Sequence, residues 1–265
     1  MISAGGGFVG STLDISNEHF MAGGDMRFTG TGGTIENLGT IRADEGDVVL
    51  MAGRIVNEGR IEAPLGFAAL GAGTDILLSE GAGSRLLIQS GVETGGTGVE
   101  NSGTIEVAQV EIAAAGGSIY DLAINQSGVV RATGAVSRDG RVLLTSDQGR
   151  IGVSGEVSAR NEDGSGGTVH IGGGCQGQDP AILNAALLHV TRDAMIDVSA
   201  HGAGDGGTAI LWSDEATLFE GRAEGRGGDA GGDGGFIEIS GKRHLAFRPA
   251  EVIDLSALAP LAGLA

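Results

Sequence analysis

The sequence predicts an all-β protein, a right-handed parallel β-helix (β-solenoid) with about 20–28 residues in each coil. Three observations predict it: a repeat of 20 residues, apolar residues at alternate positions, and 52 glycines among 265 residues. The two clearest repeat units lie at 35–53 and 55–73; of the ten positions that carry the pattern (35, 37, 39, 41, 43, 46, 48, 50, 52 and 53), nine are identical in the second unit. Alternation indicates strands, and the glycines lie between them, where the chain must turn. A unit this short cannot bury its own apolar face, so the units must stack.

Stacking places equivalent residues of neighbouring coils about 4.8 Å apart. Ile41 is therefore expected to lie on Ile61 inside the stack, where burial of each such side chain is worth roughly 1.5–3 kcal/mol. Asn37 is expected to lie on Asn57 at a turn, where stacked amides hydrogen-bond along the axis. The predicted ladder residues, all structural, are Asn37, Asn57, Asn101, Ile41, Ile61, Leu50 and Leu70.

The coils are predicted to form one domain over 1–257, with short regular coils over 1–132. Residues 1–34 are expected to form one or two imperfect coils, because several of their residues echo positions 20 or 22 further on. The echoing residues are Ile15, Asn17, Met26 and Phe28. Coils are expected to continue through 74–98. The motif returns with one extra residue at Ile124, Asn125, Gly128 and Val130, which predicts a bulge or a widened turn.

The unit changes from residue 133 to residue 257, where Gly-Gly followed by an alternating strand recurs. These coils are expected to be longer and to carry Gly/Asp-rich loops at 161–167, 202–207 and 225–235. The stretch 176–190 breaks the rhythm, and its segment 181–189 is expected to form either a short helix or a strand protruding from the stack. The tail, 258–265, is predicted to fray.

Charge and composition limit the partners of the chain. Its net charge is −18, with 16 basic against 34 acidic residues, which argues against nucleic acid and against an anionic membrane surface. No apolar stretch approaches the roughly 18 residues of a transmembrane helix. Residues 1–16 lack the features of a secretion signal. Cys175 is the single cysteine, so no intrachain disulfide can form.

No catalytic, cofactor-binding or metal-binding residue is predicted. Asp197 and Asp254 occupy equivalent positions of an Ile-Asp-Val/Leu-Ser-Ala unit, which aligns them as in polysaccharide-degrading β-helix enzymes, but their recurrence favours a structural role. The stretch 227–235 suggests calcium, yet it lacks the nine-residue repeat of a calcium β-roll. The five histidines lack zinc-ligand spacing and are expected to face solvent. Trp212 is expected to pack at the end of a strand.

The second half of the chain resembles a known family. The runs that carry the resemblance lie at 172–177, 184–185, 196–200, 206–214 and 234–242. They resemble the conserved-repeat region of filamentous haemagglutinin-type exoproteins of two-partner secretion systems, and the units at 35–73 resemble earlier coils of that family. The resemblance implies a right-handed parallel β-helix that is exported through a dedicated outer-membrane partner and displayed or released as an adhesin.

Two features of that family are missing from the sequence: a long signal peptide and a secretion domain with an Asn-Pro-Asn-Gly-type motif. The four prolines are Pro64, Pro180, Pro249 and Pro260. The resemblance therefore implies an interior repeat region without the N-terminal secretion domain, extracellular or at the outer-membrane surface.

We expect a non-catalytic stalk or adhesion scaffold that needs no cofactor and binds an unknown host or cell-surface ligand. Two alternatives remain open: a β-helical polysaccharide-degrading enzyme and a calcium-stabilised structural module. No convincing cap is apparent at either end of the repeat, so the isolated chain is also expected to associate end to end.

Overall fold

The computed structural model describes residues 1–22, 24–79, 86–90, 98–115, 121–135 and 139–257. Strands make up nearly all of the regular structure in these residues. The helical segments among them are α1 (Asn17–Ala22) and a single 3-10 turn, Cys175–Gly177. The strands are, in chain order, β1 (Ile2–Ala4), β2 (Phe8–Ser11), β3 (Met26–Thr29), β4 (Thr34–Asn37), β5 (Thr40–Ala43), β6 (Val48–Ala52), β7 (Arg54–Asn57), β8 (Arg60–Ala72), β9 (Asp75–Leu78), β10 (Leu86–Ser90), β11 (Val99–Asn101), β12 (Thr104–Ala114), β13 (Ile124–Gln126), β14 (Val129–Ala132), β15 (Arg141–Ser146), β16 (Arg150–Val153), β17 (Glu156–Ala159), β18 (Thr168–Ile171), β19 (Leu187–Val190), β20 (Met195–Asp197), β21 (Thr208–Leu211), β22 (Ala216–Phe219), β23 (Arg222–Glu224), β24 (Phe236–Ile239) and β25 (His244–Phe247).

The coils have three faces, and equivalent strands of successive coils pair in parallel within each face. Face 1 is β1-β5-β8-β12-β14-β17-β20-β23, and face 3 is β4-β7-β11-β13-β16-β19-β22-β25. Face 2 is β2-β6-β8-β12-β15-β18-β21-β24, and it shares the long strands β8 and β12 with face 1. The predicted parallel β-helix is confirmed.

Aliphatic columns fill the interior of the stack. Ile41 pairs in register with Ile61 on face 1, and Leu50 pairs with Leu70 on face 2. All four side chains are buried in one continuous apolar cluster that extends as far as Ala223. Alternation explains this arrangement, because every second side chain of a strand points inward and meets its equivalent in the next coil.

The first coil differs from the prediction. Ile2 pairs with Ile41 and Phe8 pairs with Val48, so β1 and β2 supply the strands that residues 15–28 were expected to supply. Asn17 begins the short helix α1, and β3 leaves the stack altogether. The prediction that Ile15, Asn17, Met26 and Phe28 occupy coil positions is therefore wrong.

A small antiparallel sheet, β3-β9-β10, lies outside the stack. It covers the outer side of face 2, and a second apolar cluster fills the space between the two. The buried members of that cluster are Leu13, Phe28, Val49, Met51, Phe67, Ala69, Ile76 and Ala113. The expected continuation of the coils through 74–98 is wrong for β9 and β10, and its segments at 80–85 and 91–97 lie outside the described residues.

The excursion lengthens one coil without breaking the columns. Twenty residues separate Asn37 from Asn57, 44 separate Asn57 from Asn101, and 25 separate Asn101 from Gln126. The pairing of Asn101 with Gln126 also corrects the predicted bulge at 124–130. Asn125 pairs with the outward residue Glu100, so the unit contains no extra residue.

The Gly-Gly strands of the second half stack as the repeat implies, with Val142, Val169, Ala209 and Ile237 in one inward column. Gly207 shows why glycine precedes the strand, since a Cβ there would collide with the carbonyl oxygen of Gly167 in the coil before. Both alternatives predicted for 181–189, a short helix and a protruding strand, are wrong: turns occupy its first part, and β19 then pairs inside face 3 with β16 and β22. The predicted fraying at 258–265 lies outside the described residues.

Candidate functional site

The predicted amide ladder lies inside the stack, at the turn between faces 3 and 1. Asn37 donates to Asn57 Oδ1, Asn57 to Asn101 Oδ1, and Asn101 to Gln126 Oε1, at 2.7, 2.7 and 2.8 Å. Gln126 ends the ladder by donating to the carbonyl oxygen of Gly128 at 3.0 Å. All four side chains are buried, so the ladder satisfies polar groups in the core and offers nothing to a ligand.

A second ladder lies outside face 1, and the sequence analysis missed it. Arg42 donates to Glu62 at 2.8 Å, and Arg60 pairs with both Glu62 and Glu106. Arg131 continues the series between Glu106 and Glu156, at 2.9 Å to each. Alternating charges thus link strands β5, β8, β12, β14 and β17. The hydrogen bond from Arg42 and then those from Arg60 lower the pKa of Glu62.

Face 1 changes character beyond this ladder. Its outward column continues through Ser158, Asp197, Glu224 and Asp254, which places three carboxylates on successive coils. Asp197 and Asp254 are therefore in one column but are not neighbours, because Glu224 lies between them. The sequence analysis did not identify Glu224 as a member of this column, because its coil lacks the Ile-Asp-Val-Ser pattern.

Two of these acids, Asp197 and Asp254, border a polar cleft of about 280 Å³ that is also lined by Arg160, Ser199 and Arg226. Arg226 donates to Glu224 at 2.9 Å and lies 3.9 Å from Asp254 Oδ2. The Nε of Arg160 is buried and has no hydrogen-bond partner among the residues that the structure describes. The cleft therefore presents both donors and acceptors, which suits a neutral polar ligand better than a polyanion or a polycation.

Local turns occupy one oxygen of two carboxylates in the cleft. Asp197 Oδ1 accepts a hydrogen bond from the backbone N–H of Ser199 at 2.8 Å, and Asp254 Oδ1 accepts the equivalent bond from Ser256 at 2.9 Å. The hydroxyl and backbone N–H of Ser256 lower the pKa of Asp254. A general acid needs a raised pKa, so Asp254 is poorly suited to that role.

The loop between β18 and β19, residues 172–186, lies over face 2. Residues capable of nucleophilic or base chemistry lie in it and beneath it. Cys175 is exposed and its thiol hydrogen-bonds Glu238, which raises the pKa of the thiol and keeps it a weak nucleophile. His170 is half-buried beneath this loop, not facing solvent as expected, and burial followed by the charge of Arg141 lowers its pKa. Asp179 and Glu238 are the acids that act on the same imidazole.

Trp212 is buried at the end of β21 and holds that loop in place. A Cβ on either Gly173 or Gly177 would collide with the indole ring, so the loop backbone packs directly on it. The indole N–H donates to Asp214 Oδ1 at 3.2 Å, and Gln148 donates to the other carboxylate oxygen at 3.0 Å. Trp212 is a packing residue and is not an exposed platform for a sugar ring.

A less polar cavity of about 320 Å³ lies on the outer side of face 3. Gly152 supplies no side chain to the outward column between Asn125 and His189, and this leaves a notch flanked by Leu187 and Leu218. Within the residues that the structure describes, no group of three or more His, Cys, Asp or Glu side chains is arranged to hold a metal ion. Neither helical segment in that part of the chain is long enough to span a bilayer.

No family model and no curated protein matches the chain. Its fold is similar to that of a solved structure, the HMW1 secretion domain from Haemophilus influenzae, with a TM-score of 0.70 and 24% sequence identity. The match covers 97% of this chain and 75% of that chain. At this level of identity, the likeness establishes a common fold that extends over nearly the whole chain.

Proposed function

We propose that the chain is a non-catalytic β-helical segment of an exported bacterial surface protein of the filamentous haemagglutinin type, serving as a stalk or adhesion scaffold. The observation that carries the proposal is the pair of ladders, one of buried amides and one of external ion pairs. Both run along the axis and hold coil to coil. The family resemblance of 172–257 and the likeness of the fold to a secretion domain support the same conclusion.

A stalk must transmit force and separate its ends, and stacked coils suit both tasks. Each coil adds about 4.8 Å of length, and every strand of the three faces pairs along the axis, so stretching the stack opposes many hydrogen bonds at once. The surplus of acids keeps neighbouring molecules apart on a crowded surface. An adhesive surface on such a scaffold lies in its turns and loops, which vary without disturbing the columns.

The place of the chain within the longer protein forms the finer part of the proposal. The resemblance of residues 172–257 to the conserved-repeat region of the family favours an interior repeat region. The likeness of the fold to a secretion domain favours a part in export with the outer-membrane partner. An assay separates the two: the chain is given a signal peptide and a carboxyl-terminal reporter, and is expressed with and without a two-partner outer-membrane transporter. Reporter in the medium only with the transporter assigns export to these coils; retention in both cells assigns them to the repeat region.

The non-catalytic part of the proposal is tested on polysaccharides. Purified chain is incubated with the neutral polysaccharides galactomannan and xyloglucan and with the acidic polysaccharides polygalacturonate and alginate, and the release of reducing ends is measured. We expect none from the chain or from its Asp254→Asn variant. Depolymerisation by the chain that the variant loses would contradict the proposal.

The second candidate function is that of a polysaccharide-degrading enzyme, and the polar cleft is the observation that favours it. Asp197, Glu224 and Asp254 lie on successive coils beside Arg226, an arrangement that suits carboxylate chemistry on a sugar chain. Against it stand the turn hydrogen bonds to Asp197 and Asp254 and the lowered pKa of Asp254. The reducing-end assay decides between the two functions.

A further inference from the structure

An arginine that lines the polar cleft has no partner within the described part of the chain. Arg160 follows β17 at the corner between faces 1 and 2, is half-buried, and forms no ion pair or side-chain hydrogen bond with any residue that the structure describes. Each arginine of the external ladder, by contrast, binds one or more carboxylates. In a chain with 34 acidic residues, this guanidinium therefore presents donors that lack an acceptor among those residues.

Asp197 lines the same cleft from the next coil, and one of its carboxylate oxygens is free. Its Oδ1 accepts the backbone N–H of Ser199 at 2.8 Å, whereas its Oδ2 accepts no hydrogen bond within the described residues. Arg160 and Asp197 both line the cleft but form no ion pair with each other, so a space separates the donor from the acceptor. A ligand that fills this space must accept from one side chain and donate to the other.

The cleft is held in shape by internal coils and by the loops beside them. Strand β17 pairs with β14 and β20, and β20 pairs with β17 and β23, so both strands have neighbours on both sides. Ser199 is buried and its hydroxyl accepts the backbone N–H of Arg226 at 3.1 Å. The two Gly/Asp-rich loops beside the cleft are joined by a hydrogen bond from the Ala230 N–H to the Gly202 carbonyl at 2.7 Å. The cleft is therefore formed before a ligand arrives, which lowers the cost of binding.

Charge and hydrogen bonding restrict the ligand to one that is neutral and rich in hydroxyls. An anion would satisfy the guanidinium but would meet three acids that line the cleft, Asp197, Asp229 and Asp254. A cation would meet both arginines of the cleft, Arg160 and Arg226. A hydroxyl accepts and donates at the same time, so it can bridge Arg160 and Asp197.

We propose that the cleft binds a neutral saccharide without cleaving it, with one sugar hydroxyl accepting from Arg160 and donating to Asp197. This assignment rests on the proposed function, since the saccharide is then what the adhesion scaffold binds. The outward column of face 1 repeats polar groups on successive coils, about 4.8 Å apart, which suits consecutive units of a linear polysaccharide that lies along the stack.

The test uses four single variants of the full chain, each of which removes one charge with little change in size. Arg160→Gln removes the guanidinium, and Asp197→Asn removes the charge but keeps an oxygen that accepts the Ser199 N–H. Arg192→Gln and Asp193→Asn are the matched controls, because both residues are exposed in the turn before β20 and do not line the cleft. Affinity electrophoresis in gels that contain galactomannan, xyloglucan, polygalacturonate or alginate measures binding, and circular dichroism establishes that each variant is folded.

We expect at least one neutral polysaccharide to retard the parent chain and both controls, and to do so more strongly than either acidic polysaccharide. Arg160→Gln and Asp197→Asn should each weaken that binding by at least about tenfold, because each loses a hydrogen bond to a charged group. A parent chain that neither neutral polysaccharide retards, stronger binding to the acidic ones, or equal binding by all four variants would overturn the proposal and leave the scaffold function standing. Release of reducing ends from a polysaccharide that only the cleft variants fail to bind would support the ligand class and contradict the non-catalytic function instead.

Discussion

Asn57 donates its side-chain amide to Asn101 at 2.7 Å, although 44 residues separate the two in the sequence. The same side chain accepts from Asn37 at 2.7 Å, only 20 residues before it. The interval can double because the extra residues leave the stack as β9 and β10 and return before β11. Continuity of the columns, and not a constant period, is therefore what the fold preserves.

Replacing Asn57 with alanine should break this ladder in its middle. The Asn101 Oδ1 acceptor loses its donor and the Asn37 amide loses its best acceptor, both in buried surroundings, so the free energy of unfolding should fall by roughly 2–4 kcal/mol. Urea titration followed by circular dichroism measures it. Asn125→Ala is the matched control, because Asn125 is partly exposed on the outer side of face 3 and should change stability by less than about 0.5 kcal/mol. Equal losses in the two variants would refute a role for the ladder.

The external ion-pair ladder should make stability depend on pH. Arg42 and Arg60 hold the pKa of Glu62 below its ordinary value of about 4.5, so the unfolded chain binds protons at Glu62 more readily than the folded chain. The stabilisation is complete above the unfolded pKa and is lost as the pH falls through the folded pKa. Glu62→Gln should lower the urea midpoint at neutral pH and flatten its fall below about pH 5. The exposed Glu36→Gln should keep the slope of the parent chain; an unchanged slope in Glu62→Gln would count against the ladder.

Metal removal should leave the Gly/Asp-rich loops intact. The loops at 202–207 and 225–235 hold each other through backbone hydrogen bonds, such as Gly228 N–H to the Gly204 carbonyl at 2.9 Å, and Asp205 accepts the backbone N–H of Asp233 at 2.7 Å. These bonds satisfy the loop polar groups from within the chain. We expect the melting temperature in excess EDTA to match that in excess calcium within about 1 °C. A clear rise with calcium that magnesium does not reproduce would favour a calcium-stabilised module.

The regular coils were predictable because each signal at 35–73 is local and repeated. Alternation placed Ile41 and Leu50 inward, and the offset of 20 aligned them with Ile61 and Leu70. The same signal misled at β3, where Met26 and Phe28 alternate as a coil strand does. Alternation indicates a strand with one buried face, but it does not say whether that strand stacks inside the helix or packs on its outer surface.

The ion-pair ladder escaped prediction for a related reason. Arg131 points outward and lies 25 residues from Glu106 in one direction and from Glu156 in the other. The three side chains meet only because the columns align them. No repeated motif contains them, so the pairing becomes visible only once the register is known. The position of Gln126 in the amide ladder also depends on the register. Ile124 pairs with Val99, which places Gln126 and not Asn125 opposite Asn101.

The extra-helical sheet should depend on Phe67, which lies fully buried in the outer apolar cluster between β8 and β9. Phe67→Ala should lower the free energy that holds this cluster together by roughly 3–5 kcal/mol. Because the cluster lies outside the stack, the loss should release β3 and β9 before the coils themselves unfold. Hydrogen exchange followed by mass spectrometry should show faster exchange in β9, with β7 and β11 as protected as in the parent chain. Phe236→Ala, on the outer side of β24, should leave exchange in β9 unchanged, and a uniform acceleration throughout the chain in Phe67→Ala would mean that the outer sheet and the stack unfold as one unit.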